Sequence, residues 1–315
     1  MSPRITYVAN EMDQGKGLGE VILARMDVSK RLLKRCKNHP AGIVVNGIRR
    51  TVRYEVQPGD VISLAAAPDE APTDVIHEDL PLSVIYEDEM VLVVDKPPGL
   101  TMFPRRRGER GSLAGRVLAH LEKNGEACIY HPVSRLDIGT TGLVLLAKNS
   151  HAASQLNRQR PKKYYQCLAY GRLPSPCHLT GSLCEFPEAV RREIHGIFYV
   201  GEGGKACSTY ATPLFYDEAL RGTGLWVALE TGRRHQIRVH LAHQGHPLMG
   251  DVSYGGPAIA AARPLLHAAA LVYEHPADGR LMRHFLGMHA YGNEPAAIGH
   301  PQFQSDYSTR DEVNL

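Results

Sequence analysis

Ser134-Arg135-Leu136-Asp137-Ile138-Gly139-Thr140-Thr141-Gly142 runs straight into the apolar run Leu143-Val144-Leu145-Leu146-Ala147, closed by Lys148. A glycine- and threonine-rich turn therefore opens a strand, and a single carboxylate stands at its mouth. Asp137 follows Arg135 at two residues and precedes Thr140 and Thr141. Threonine hydroxyls and backbone N–H groups can hold a carboxylate ionised and oriented, which suits a nucleophile or a base. An aspartate capping a turn has the same local signature, and local chemistry leaves both readings open.

Further strands are expected at Val91–Val94, Tyr164–Tyr170, Ala206–Leu214 and Leu225–Leu229. Ser112 can cap a helix in which Leu113, Val117, Leu118 and Leu121 recur at helical spacing before Gly125. Two more helices are expected, from Ser150 to about Asn157 and from His235 to about His243. Strands outnumber helices without a regular βαβ alternation, so the pattern predicts an α+β fold with a mixed or antiparallel sheet. This main domain is expected over residues 82–291.

Residues 1–66 read as a small separate module. Ser29 is a candidate cap for a helix with Leu32, Leu33 and Cys36 as its apolar stripe and Lys30, Arg31, Lys34 and Arg35 on the other face. Asn46-Gly47 is a hairpin signal, and Val56-Gln57-Pro58-Gly59-Asp60-Val61-Ile62 supplies a second turn and strand. Residues 67–81, rich in Ala, Pro, Asp and Glu, have a linker's composition. Residues 292–315 carry little apolar content and are expected to be a flexible tail.

The chain has 315 residues, 43% hydrophobic and 22% charged, values of an ordinary globular protein. Its apolar runs are too short to span a bilayer, and the polar start predicts no secretory segment. The six cysteines form no Cys-x-x-Cys pair, so free thiols in a reducing cytoplasm are expected. Net charge is only +3, but nine basic residues between Arg25 and Arg53 face one acid, Asp27. Such a cluster suits phosphates and equally suits a solvated face.

Arg135-Leu136-Asp137-x-x-Thr140-Thr141-Gly142 closely resembles the catalytic motif of the RluA-type RNA pseudouridine synthases. Four further stretches fit that resemblance in order: Lys96-Pro97-Pro98-Gly99-Leu100; Lys163-Tyr164-Tyr165; Thr231-Gly232-Arg233-Arg234-His235-Gln236-Ile237-Arg238-Val239-His240-Leu241; and Gly245-His246-Pro247-Leu248-Met249-Gly250-Asp251 with Leu266-His267-Ala268. The N-terminal module is similar to the alpha-L RNA-binding motif of ribosomal proteins. The resemblance implies an isomerase that converts uridine to pseudouridine in structured RNA, ribosomal RNA first and tRNA as its rival. It implies no cofactor, no membrane and no obligate protein partner.

By the same resemblance Asp137 is the catalytic aspartate, as nucleophile or base, with Tyr165 and Arg233 completing the site. Arg233 would keep Asp137 ionised, and Tyr165 would offer its ring to the uracil; strand spacing alone favours core packing for Tyr165 and more so for Tyr164. Arg135 would fill the space left by a flipped base, or else pair with Asp137. Arg234 and Arg238, four apart on the expected helix, are candidate phosphate or structural contacts rather than catalysts, and Arg105 and Arg106 lie in a basic loop that suits a backbone-binding arm or a solvated loop. The pattern departs from the family at Ser134, Phe103, Ile138-Gly139 and Arg234, which bears on substrate recognition. Two rivals remain: a non-catalytic RNA-binding or assembly protein on this fold, and a metal hydrolase built on His235, His240, His243 and His246. No nearby acid or cysteine completes a ligand set for the second, so no metal is expected.

Overall fold

A computed structural model of the chain describes residues 5–26, 28, 30–39, 42–65, 74–187, 198–289 and 300–305, and the Arg31 side chain lies outside that description. The N-terminal part carries β1 (Ile5–Val8), α1 (Leu18–Arg25), α2 (Lys30–Asn38), β2 (Ile43–Val45), β3 (Ile48–Arg49) and β4 (Val61–Leu64). Its strands form a four-stranded sheet in the order β1-β4-β2-β3. Asn46 and Gly47 take φ of 51° and 80°, the left-handed pair that a two-residue type I′ hairpin requires. Leu32, Leu33 and Cys36 of α2 face inward onto Ile22, Ile62 and Leu64, while Lys30 and Lys34 are exposed and Arg35 is half-buried. The expected cap Ser29 lies outside the described residues.

The larger part comprises β5 (Ser83–Glu87), β6 (Val91–Lys96), α3 (Leu113–Lys123), β7 (His131–Pro132), β8 (Thr141–Ala147), α4 (Ser150–Gln159), β9 (Lys162–Tyr170) and β10 (Cys177–Glu185). It continues through β11 (Phe198–Val200), β12 (Lys205–Asp217), β13 (Gly222–Leu229), α5 (Gln236–His243), β14 (Leu266–Glu274), β15 (Leu281–Phe285) and α6 (Pro301–Gln304). Eleven strands form one sheet whose main path is β11-β10-β12-β13-β9-β14-β8-β6-β5, with β15 on β14 and β7 on β8. Every pairing is antiparallel except β14 with β8, so the sheet is mixed and the fold is α+β. All seven residues of β8 are buried, which is why it reads as a continuous apolar run without alternation. Val144 and Leu146 meet Val117 and Leu121 of α3 on one face; Leu143 and Leu145 meet Ala152 and Leu156 of α4 on the other. Ser112 caps α3 as expected, its Oγ accepting from the Gly115 N–H at 3.1 Å.

Two low-apolar stretches are more ordered than their composition suggests. Within the expected linker, residues 66–73 lie outside the described residues, but Glu78 is buried and accepts from the Gly111 N–H at 2.8 Å. Within the expected tail, His300–Ser305 packs onto the sheet: Phe303 is fully buried and its carbonyl accepts from Gln166 Nε2 at 2.7 Å. His300 stacks on Phe215 with ring centroids 3.7 Å apart. One buried aromatic and two backbone hydrogen-bond partners are enough to hold this short segment, whatever its average polarity. Residues 292–299 and 306–315 of that tail lie outside the described residues.

Candidate active site

The turn before β8 is held by its own carbonyls. Asp137 O accepts from the Thr140 N–H at 3.0 Å, Ile138 O from the Gly99 N–H at 2.8 Å and from Lys96 Nζ at 3.3 Å, and Gly139 O from Arg263 Nη1 at 3.3 Å. Lys96 is fully buried and also donates to Pro97 O and Leu100 O, so three carbonyls match the three hydrogens of an ammonium. Burial pushes that ammonium down to about 7, against the opposing pull of Asp137. Gly142 ends the turn at φ 101°, and a Cβ there would come within 2.3 Å of Ala268 O on β14. Only glycine allows β8 and β14 to approach so closely. Ser134, one of the departures from the family pattern, is buried and its Oγ accepts from the Leu145 N–H at 2.9 Å, a structural duty.

Ala268 pairs with Gly142 on one side and with Tyr165 of β9 on the other. Tyr165 thereby faces an open pocket of about 200 Å³ whose lining includes Arg135, Asp137, Thr140, Tyr165, Arg233, Arg234, His235 and Arg238. Tyr165 is 6% exposed, and burial, then the charge of Asp137, raises its phenol above the ordinary value. It stays a neutral phenol at working pH. Tyr164, expected to be the better core residue, is only half-buried and stacks on Trp226 at 5.6 Å.

The cation beside Asp137 is Arg238. Its Nη1 lies 3.7 Å from Asp137 Oδ2, while its Nε and Nη2 grip Asp251 at 2.6 and 2.7 Å in a buried bidentate pair. Burial opposes the charge of Arg238, but the hydrogen bonds and charge of Asp251 and then Asp137 outweigh it and raise its value. The three arginines of this stretch are placed differently from one another. Among the described residues Arg233 makes no ion pair with Asp137; it is exposed at the pocket rim and its Nε donates to Ala206 O at 3.4 Å. Arg238 is 9% exposed and committed to two carboxylates, the structural one of its two expected roles. Arg234 and Arg238 do not share a helix face, because α5 begins at Gln236; Arg234 is exposed, 5.8 Å over the Phe198 ring.

His235 approaches the same oxygen, its Nε2 3.7 Å from Asp137 Oδ2, while its Nδ1 lies 2.9 Å from Tyr254 Oη. The Asp137 side chain is 27% exposed and lines the pocket, so its carboxylate is open to a substrate. The loop before α5 is stapled by Gln236, which accepts from Thr231 Oγ1 and the Arg233 N–H and donates to Ser208 O and Thr209 Oγ1. His240 has both ring nitrogens engaged, by Cys207 Sγ at 3.0 Å and Thr209 Oγ1 at 2.9 Å, which removes it from the metal-hydrolase reading. Arg135 is exposed and lines the pocket without pairing to Asp137. Arg105 and Arg106 sit in an exposed loop whose backbone N–H groups donate to Glu109.

This arrangement, a partly exposed carboxylate, a buried guanidinium behind it and a neutral tyrosine beside it, lies within residues 90–243, which match the RNA pseudouridylate synthase family model. The chain belongs to the RluA-type RNA pseudouridine synthase family and is an isomerase. It is 32% identical over 263 residues to the RNA pseudouridine synthase YjbO of Bacillus subtilis strain 168, covering 82% of this chain and 90% of that protein. It is 33% identical over 270 residues to ribosomal large subunit pseudouridine synthase D of Pseudomonas aeruginosa, covering 77% and 81%. The fold is similar to that of human RNA pseudouridylate synthase domain containing 1, with a TM-score of 0.54 at 23% identity over 65% of this chain and 83% of that one.

Proposed function

We propose that the protein isomerises particular uridines of structured ribosomal RNA to pseudouridine, with Asp137 as the reactive carboxylate. The observation that carries this reading is the partly exposed carboxylate of Asp137 in a pocket floored by Tyr165, with Arg238 3.7 Å from its Oδ2. The reaction breaks the bond from N1 to C1′, turns the base and joins C5 to C1′. N1 gains a proton and C5 loses one, so atoms and electrons balance without an oxidant or a cofactor. Asp137 serves as nucleophile or as base; both use a carboxylate oxygen that reaches the pocket. Tyr165 supports the uracil through its ring. Arg238, not Arg233, supplies the charge complement to Asp137.

A base inside RNA structure must leave its stack to reach this pocket, and Arg135 stands at the rim where a long cation can occupy the gap. Arg233, Arg234, Arg105 and Arg106 are exposed, as are Lys30 and Lys34 of α2, and form a set of phosphate contacts that read charge, not sequence. The target follows from two supports: the basic module and relatives named for the large ribosomal subunit. Mapping pseudouridines in total RNA from a deletion strain tests this directly, with complementation by wild type and by Asp137→Asn. One or more ribosomal sites should vanish, return with wild type and stay absent with the variant. Loss confined to tRNA would redirect the substrate, and restoration by Asp137→Asn would refute the role of Asp137. Turnover in vitro should persist after exhaustive chelation.

A further inference from the structure

His235 occupies an unusual position. It precedes α5 at φ 58°, a left-handed conformation that a residue with a Cβ adopts at a cost. Its ring is edge-on to two aromatic rings, Phe198 at 5.6 Å and Tyr254 at 5.8 Å, which fix its plane. Tyr254 Oη accepts from the Phe198 N–H at 2.9 Å and lies 2.9 Å from His235 Nδ1. The Phe198 amide can only donate, which leaves the one phenol hydrogen free to go to Nδ1. An imidazole whose Nδ1 accepts carries its own hydrogen on Nε2, and Nε2 faces Asp137 Oδ2.

We infer that His235, fixed by Tyr254 as the neutral Nε2–H tautomer, is a positioning residue that donates to Oδ2 of Asp137 and so orients the carboxylate toward the substrate. The inference rests on Asp137 being the reactive carboxylate. Burial, opposed by the charge of Asp137, pushes the imidazole down to about 4, so at neutral pH it is a donor without charge. A second cation is unnecessary, because Arg238 already addresses the same oxygen. The 3.7 Å separation is longer than a hydrogen bond and tightens when bound RNA excludes water from the pocket.

Asparagine and glutamine separate this role from a backbone one. Asparagine tolerates the left-handed conformation better, but its amide reaches only to the place of Nδ1; glutamine fits the backbone less well, but its amide reaches the place of Nε2. On full-length protein and the RNA found by the deletion mapping, single-turnover rates for H235Q should exceed those for H235N by about tenfold or more, the low end for a hydrogen bond to a charged group. H235N turning over as fast as H235Q, or faster, overturns the proposal. A two-bond nitrogen–proton correlation spectrum of His235 at pH 6 supplies a readout independent of activity. It should show a neutral ring with its hydrogen on Nε2 in the wild type, and that tautomer should be lost or mixed in Tyr254→Phe. A hydrogen on Nδ1, an imidazolium, or a tautomer indifferent to Tyr254→Phe each refutes the assignment, even if H235Q does not fold. If the wild type converts no uridine in any RNA, the catalytic reading fails while the spectrum still decides the tautomer.

Discussion

Arg238 serves two carboxylates at once, and its loss should have two separable effects. Arg238→Gln leaves Asp251, 1% exposed, without its bidentate partner. Stranding one member of a buried pair costs about 3–5 kcal/mol, so the variant should lose that much unfolding free energy. Adding Asp251→Asn removes the stranded charge and should return most of that stability. The effect on Asp137 is different. Two unit charges about 4 Å apart attract by about 4 kcal/mol at an effective dielectric of about 20, or roughly 1,000-fold in rate if all of it acted in the transition state. The Asp137 side chain is 27% exposed, so water screens part of this, and a loss of about 100-fold is expected. Urea unfolding curves and single-turnover rates of pseudouridine formation on the same preparations separate the two. The double variant should be nearly as stable as wild type yet as slow as Arg238→Gln. Activity recovering together with stability would mean that Arg238 only supports the fold, and the assignment of the cation beside Asp137 would be wrong.

Arg135→Ala should slow conversion most on a paired target and least on a single strand whose uridine is already unstacked, because an inserted side chain offsets part of the few kcal/mol of flipping; equal single-turnover losses on both substrates would refute the flipping role. Lys30→Gln with Lys34→Gln should weaken binding to folded RNA and flatten the plot of log affinity against log salt by about two, one per lost contact, whereas an unchanged slope means that this face of α2 is only solvated. His267 is fully buried, accepting from Thr141 Oγ1 and donating to Leu286 O, and burial pushes it down to about 4. Its unfolded form binds a proton below about 6.5 and its folded form only below about 4, so its contribution is complete above the first value and is lost as pH falls between them, by about 3 kcal/mol. His267→Gln should flatten stability against pH in that window; an unchanged slope would show that other groups govern acid unfolding.

The turn from Ser134 to Gly142 was legible because each part has a local cause: glycine where β14 presses on the backbone, and a fully apolar strand where both faces are covered. Tyr165 was legible through the motif, since strand spacing alone pointed to the core, and it proves to be both core and pocket. Which arginine meets Asp137 was not legible from local pattern. Arg233, Arg234 and Arg238 lie within six positions, and the choice depends on where α5 begins and on Asp251, thirteen residues further along. Lys96 read as part of a strand and turn, yet it is buried whole, because three carbonyls brought together by the fold receive its ammonium. β10 escaped notice because serine, threonine, cysteine and glycine dilute its pattern, and α6 because only Phe303 marks it.

Gly142, Ala268 and Tyr165 stand side by side on β8, β14 and β9. Their lateral spacing is therefore counted in steps of the interstrand repeat, about 4.8 Å each, a length that backbone hydrogen bonds impose and side-chain volume hardly alters. The distance from the carboxylate turn to the aromatic floor thus behaves like marks on a ruler. Mutations that swell or shrink the cores on either face can tilt helices and shift loops while those marks keep their interval. Substitution of Gly142 is the change that would break the ruler itself, since any Cβ there must force β8 and β14 apart.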